Sequence, residues 1–252
     1  MAREITFDLS RNKIEIDNTR TILIVCEGQK TEIDYFEKLK TILIDNMIGI
    51  KVIPVTSSSG PQALKIIESA DAENKLLTEN LGISADLTYC VFDEDDAKNI
   101  SPKAYQNIKD AIKQATDKNY HIILTNPCLE YWFLLHYVEH NNAIEKQDDK
   151  SKGKVAVKVL QQHIPDYEKN GIENIAEIFN TLKIQTAITH AESTLKNHAN
   201  TTDSHLNKQK EYIIDNNPST NMQELIYAMS KKFSTEAFNE INKPIENRSL
   251  TI

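Results

Sequence analysis

The sequence predicts an α/β protein built on a parallel sheet. Three observations predict it. Short apolar runs of strand length alternate with segments of helical period from the N-terminus to about Tyr137. Turn and cap residues punctuate the junctions. Beyond that point the periodicity is helical and no further strand signal appears. Alternation of this kind places a parallel sheet between layers of helices.

The elements follow in order. Residues 1–20 alternate charged and apolar side chains and read as an edge strand or a loose arm. Thr21–Cys26 is the first strand, because its Ile-Leu-Ile-Val run is short and continuous. Glu27-Gly28 breaks the run. Thr31 with Asp34 three residues on resembles a capping box, with Asp in place of Glu. The helix it opens carries Tyr35, Phe36, Leu39, Ile42 and Leu43 at helical spacing and fades near Asn46. Ile50–Val55 is the second strand. After the loop Thr56–Gly60, Pro61 suits the first turn of a helix to about Asn80.

Leu87–Phe92 is the third strand and ends in Asp93-Glu94-Asp95-Asp96. Ser101-Pro102 opens a helix with Tyr105, Ile108, Ile112 and Ala115 on one face. His121–Leu124 is the fourth strand. Asn126-Pro127 then opens a helix through Cys128, Leu129, Trp132, Phe133 and Leu134, with Asn126 as its cap. A polar stretch over 141–154 marks a boundary. Residues 1–140 form the expected core and residues 141–252 a mostly helical C-terminal region packed on it. Helices are expected over Val155–His163, from Ile175 to about Leu195, and from the Asn217–Thr220 turn to about Phe233. The tail from Ser234 is expected to be poorly ordered.

Bulk composition narrows the function. Charged residues make up 26% and hydrophobic residues 40%, which is ordinary for a globular chain. The 29 basic and 37 acidic side chains give a net charge of -8, which argues against indiscriminate nucleic-acid binding through bulk charge. A local basic path, or a site where metal offsets the acids, is still allowed. Lys150, Lys152, Lys154 and Lys158 are the clearest basic run, equally suited to a phosphate backbone or a solvated linker face. Cys26, Cys90 and Cys128 lack metal-ligand spacing and sit in or beside apolar runs, so buried reduced thiols and a cytoplasmic home are expected. No apolar run nears ~20 residues, and the N-terminus lacks the core of a signal peptide, so no membrane association is expected.

The chemistry gathers at strand ends. Right-handed crossovers put the C-terminal ends of all four strands on one edge. Glu27, Asp93, Asp95, Asp96, Asn126 and Glu130 all lie just past such ends. Asp93 and Asp95 alternate as in an extended strand, so both carboxylates can point to one side. Acids this close repel, and Mg2+ or Mn2+ relieves the repulsion while keeping sites open for phosphate oxygens. Glu27 can serve that metal or act as general acid/base. Gly28 permits a close approach to phosphate, and Gly28, Lys30 and Asn126 are the candidate phosphate contacts. Glu32, in a helix's first turn, sits where the macrodipole favours an acid anyway, and it is also a candidate ligand for a second metal. Glu130 is a polar residue early in a very apolar segment and is a candidate catalytic residue. His136, six residues on, is well off the Glu130 face and reads either as a core histidine or as a second catalytic candidate. A Cys128 nucleophile, activated at a helix N-terminus, is the weakest candidate.

Four segments together resemble the RloB-like family, a branch of the Toprim superfamily: VCEGQKTEIDYFEKL at 25–39, VFDEDD at 91–96, NPCLEYWFLLHY at 126–137 and NPSTNMQEL at 217–225. The resemblance implies a Rossmann-like Toprim core with Mg2+ held by acids. It maps the acid/base or metal glutamate onto Glu27 and the metal-binding aspartates onto Asp93 and Asp95, with Asp96 adjacent. It also implies a toxic nuclease in antiphage or abortive-infection defence, controlled by an AAA-family ATPase encoded nearby, with DNA or RNA, including tRNA, as substrate. The long helical C-terminal half departs from the plain Toprim pattern. It can bind the partner, form a homodimer or present substrate. The competing expectation is a non-catalytic Toprim-like module that binds nucleotide or nucleic acid and regulates the ATPase. A nucleotide phosphotransferase is a third. No P-loop pattern is present, so ATP hydrolysis of that kind is not expected of this chain.

Overall fold

The computed structural model describes residues 20–27, 30–43, 48–54, 62–94, 97–148, 150–169, 172–199 and 213–229. The first half runs β1 (Arg20–Cys26), α1 (Thr31–Leu43), β2 (Ile48–Pro54), α2 (Gln62–Leu81), β3 (Leu87–Asp93), α3 (Ala97–Ile100), α4 (Pro102–Asp117), β4 (His121–Asn126) and α5 (Leu129–Leu135). The second half adds α6 (Lys152–Gln161), a 3-10 segment over Ile172–Phe179, α7 (Thr181–Ala199), β5 (Ser219–Thr220) and α8 (Met222–Met229). The sheet order is β2-β1-β3-β4-β5. The first four strands are parallel, as the alternation predicts, and β5 pairs antiparallel to β4.

Burial on both faces explains the continuous apolar runs. Ile22, Leu23, Ile24, Val25 and Cys26 are all fully buried. Their side chains alternate between two layers. Ile22, Ile24 and Cys26, with Leu87, Tyr89 and Val91 of β3, pack against Tyr35 and Phe36 of α1 and the whole of α5. Leu23 and Val25, with Cys90 and Phe92, pack against Ile66 and Ile67 of α2 and Ile108 and Ile112 of α4. Full burial of each such side chain stabilises by roughly 1.5–3 kcal/mol. On the first face the Trp132 indole N–H donates to the Tyr35 hydroxyl at 2.6 Å, which satisfies the polar ends of both rings in an otherwise apolar layer.

The C-terminal region joins this first face. Leu160, Ile184, Ile188, Leu225 and Ile226 belong to the same apolar cluster as β1 and α5. Two helix starts follow from the sequence as expected or nearly so. Ser101 accepts from the Ala104 N–H at 3.0 Å and caps α4, with Pro102 in its first turn. Asn180 Oδ1 accepts from the Leu182 N–H at 2.8 Å, which divides the expected 175–195 helix into a 3-10 segment and α7. The start of α5 differs: Asn126 is the last residue of β4 and Cys128 takes the cap position, with no side-chain cap bond.

β5 was not expected, because Ser219-Thr220 has no apolar run. Polar side chains hold it instead. The next residue, Asn221, is fully buried, and its carboxamide takes the place of a strand's peptide group. Its Oδ1 accepts from the Leu124 N–H at 2.8 Å, and its Nδ2 donates to the Ile122 carbonyl at 2.8 Å. The expected arm at 1–19 and the tail from Ser234 lie outside the described residues.

Candidate functional site

Strand order fixes where a site forms. The chain leaves β1 for β2 on one side and returns to β3 on the other. The crossovers therefore diverge between β1 and β3, and the crevice past the carboxyl ends of these two strands is the natural ligand site of such a sheet. Glu27 follows β1 directly, and its main-chain N–H donates to the Val91 carbonyl at 3.2 Å, which extends the ladder by one step. Asp93 ends β3, in register with Thr125 of β4. Glu32 lies in the first turn of α1 and Glu130 in the first turn of α5. Four elements thus each deliver one carboxylate to the same edge.

The four sense one another. Burial, and then the charges of Glu32, Glu130 and Glu27, hold Asp93 well above the usual carboxylate range, with Lys169 acting in the opposite sense. Glu32 is raised too, by burial first and by Glu130 among its charged neighbours. Glu130 is only 1% exposed. It is held by two groups that the sequence did not single out. The Tyr167 hydroxyl donates to Glu130 Oε1 at 3.2 Å, and Lys169 Nζ stands 3.9 Å from the same oxygen. Glu130 is also the main reason the Lys169 ammonium binds its proton more tightly than usual. Both residues lie past the end of α6, where no periodicity marks a site; a lone Tyr and Lys in the polar DYEKN stretch was the only signal.

Other expectations are corrected. His136 is fully buried, its Nδ1–H donates to the Trp132 carbonyl at 2.9 Å, and burial lowers it to about 3. The charged groups acting on it are Lys183 and His190, not the acids, so it is a neutral core histidine rather than a catalytic one. Asn126 does not fit a phosphate contact. Its Nδ2 donates to the carbonyls of Ile213 and Ile214 at 3.0 and 3.1 Å, and the oxygen left over is an acceptor, which phosphate repels. Cys128 is no activated thiol, since burial and then Glu130 and Asp93 push it well up. Of the basic run, Lys152 is buried near Glu145 at 3.9 Å, while Lys154 and Lys158 are exposed. Lys30 is exposed ahead of α1, where its carbonyl accepts from the Asp34 N–H at 2.8 Å. Gly28, Asp95 and Asp96 lie outside the described residues.

The donor set has the chemistry of a hard-cation site. It offers carboxylate oxygens that repel one another, and a divalent ion stabilises such a group. Among the described residues, no three Asp, Glu, His or Cys side chains stand close enough to enclose an ion by themselves. Glu27 and Asp93 are the carboxylates that could hold such an ion, with Glu32 and Glu130 behind them.

Fold and edge together define the class: an open, mostly parallel α/β protein with a carboxylate cluster at its switch point. Within that class the chain belongs to the RloB-like protein family, whose model matches residues 22–229. That span contains the whole acid cluster, Tyr167 and Lys169. No curated protein and no solved structure matches the chain. Among the described residues, no helix is long and apolar enough to cross a membrane.

Proposed function

We propose that this chain is a Mg2+- or Mn2+-dependent nuclease with a Toprim-like core. It acts on DNA or RNA, tRNA included, as a toxic effector of antiphage defence. The single observation that carries the reading is the convergence of Glu27, Glu32, Asp93 and Glu130 at the switch point, with Asp93 held well above its ordinary range. Acids at a site for an anionic substrate help only where a cation accompanies them. When bound, a divalent ion supplies Lewis-acid polarisation of the phosphodiester. Glu27 and Asp93 would hold it, with Asp95 and Asp96 following in the sequence. Glu27 is the proton carrier for the attacking water or the leaving oxygen. Glu130 is a positioning residue, oriented by Tyr167 and Lys169. Lys169, half in solvent beside the acids, is the cation available to a substrate phosphate.

Control by an AAA-family ATPase rests on the family resemblance, and the helical C-terminal half is the surface offered to that partner, to a second copy or to substrate. The test is induction in a bacterial host, wild type beside Asp93→Ala, with total RNA and DNA resolved on gels. Growth arrest with new fragments, absent in the variant, supports the nuclease and names its substrate. Equal toxicity of both proteins refutes it. A second reading, a non-catalytic module that binds nucleotide or nucleic acid and regulates the ATPase, is favoured by one observation: Glu130 is already paired by Lys169 and Tyr167. Glu27→Gln separates the two, since a binding module keeps its function and an acid/base enzyme loses it.

A further inference from the structure

The same strand ends build a second, different site on the other face of the sheet. Along β3, Val91 and Asp93 share one face, while Phe92 and then Glu94 take the other. Along β4, Leu124 and then Asn126 take that same other face, beside Ile213 and Ile214. Glu94 and Asn126 are each 2% exposed, and both line a cleft of about 280 Å³ together with Asn217, Asp215, Glu145 and Lys152.

Two carboxamides set its chemistry. Asn126 donates through Nδ2 to two main-chain carbonyls, and Asn217 donates through Nδ2 to the Ile144 carbonyl at 2.8 Å. These bonds fix which way each amide faces, so the atom left without a bond in both is oxygen. Both Oδ1 atoms are buried and without a hydrogen-bond partner. An acceptor left in that state is unfavourable, and here both residues that carry one line the same cleft. The carboxylates of Glu94, Asp215 and Glu145 add negative charge, against which Lys152 stands 3.9 Å from Glu145. Neutral carbonyl oxygens combined with carboxylate are the donor set of a hard divalent cation.

We propose that Asn126 Oδ1, Asn217 Oδ1 and Glu94 form a second divalent-cation site, separate from the acid cluster and placed to tie the ends of β3 and β4 to the 213–217 segment. Its role is structural: it joins the C-terminal region to the sheet edge.

The test uses the full chain freed of metal and titrated with Mn2+, with bound ion counted by electron paramagnetic resonance. The Asp93→Asn variant, which weakens the acid cluster, is expected to bind one Mn2+ and to melt at a higher temperature when it does. Adding Glu94→Gln to that variant is expected to abolish this binding. Absence of binding in Asp93→Asn, or binding that survives Glu94→Gln, overturns the proposal. The first result leaves water as the only partner of the two oxygens. Should the double variant lose its circular dichroism, Asn217→Asp in the Asp93→Asn chain decides. A carboxylate in place of the amide is expected to tighten Mn2+ by about tenfold, and unchanged affinity overturns the site. Equal Mn2+ counts in wild type and Asp93→Asn mean that the acid cluster holds no ion, which bears on the nuclease reading and not on this one.

Discussion

Asp93 and Glu94 are neighbours in the chain, yet they stand in different surroundings. Asp93 faces α1 and α5, where Glu32, Glu130 and Glu27 crowd it and Lys169 is the cation that relieves it. Glu94 lines a cleft with Asn126 and Asn217, whose Nδ2 groups donate to main-chain carbonyls. The first region carries an excess of like charge, and the second holds two buried amide oxygens without a hydrogen-bond partner. A two-residue period is enough to separate them. A cation would relieve both, but by offsetting repulsion in one and by satisfying buried acceptors in the other.

The largest expected effect breaks the first region. Asp93→Ala removes the most strongly shifted acid, and cleavage of tRNA or plasmid DNA is expected to fall by about 100-fold or more, in the range seen when a main electrostatic contributor is removed. Initial rates at saturating Mg2+ check it. The next effect breaks the second region. Asn126→Asp sets a carboxylate against the Ile213 and Ile214 carbonyls that the amide now serves. Chemical denaturation without divalent ions should show a loss of about 3–5 kcal/mol, the usual result of an uncompensated buried charge.

A smaller effect sharpens the contrast through pH. Asp93 and Glu32 bind their protons more tightly in the folded chain than in the unfolded one. The stability this gives is complete below the unfolded carboxylate range, about pH 4, and is lost as pH rises through the folded values. Without divalent ions the wild type should therefore melt higher at pH 5 than at pH 7.5. Asp93→Asn should flatten that slope and raise the pH 7.5 melting temperature by about 2–4 °C. Melting curves across that range test the sign. The smallest effect is a reference outside both regions. His136, lowered to about 3 by burial, should show flat imidazole shifts by NMR between pH 8 and pH 5. A midpoint in that interval would return it to the list of proton carriers.

Much of this was legible in the residues. The runs Thr21–Cys26, Leu87–Phe92 and His121–Leu124 are mostly apolar because both faces of each strand are covered, and that makes their ends easy to find. Acids placed at those ends then declare an edge. What escaped notice depends on contacts between segments that carry no period of their own. Lys169 and Tyr167 reach Glu130 from an irregular stretch past α6. β5 escaped because side-chain hydroxyls and an amide hold it, not apolar pairs. Asn126 misled because a polar residue at a strand end suggests outward contacts, and its donors are turned inward. One signal was in plain view: the Asn-Pro pair occurs at 126–127 and again at 217–218, and both asparagines line the same cleft.

The Asn221 carboxamide has a consequence for the behaviour of the protein in a crowded cell. An outermost strand with open peptide groups is a template onto which another chain can add and begin an aggregate. On this flank the β4 groups at Ile122 and Leu124 are taken by a side chain, and the strand beside them is two residues long. A side chain cannot extend a ladder, and two residues offer little to copy. Asn221 thus leaves this flank without the open peptide groups at Ile122 and Leu124 that an ordinary edge strand would present.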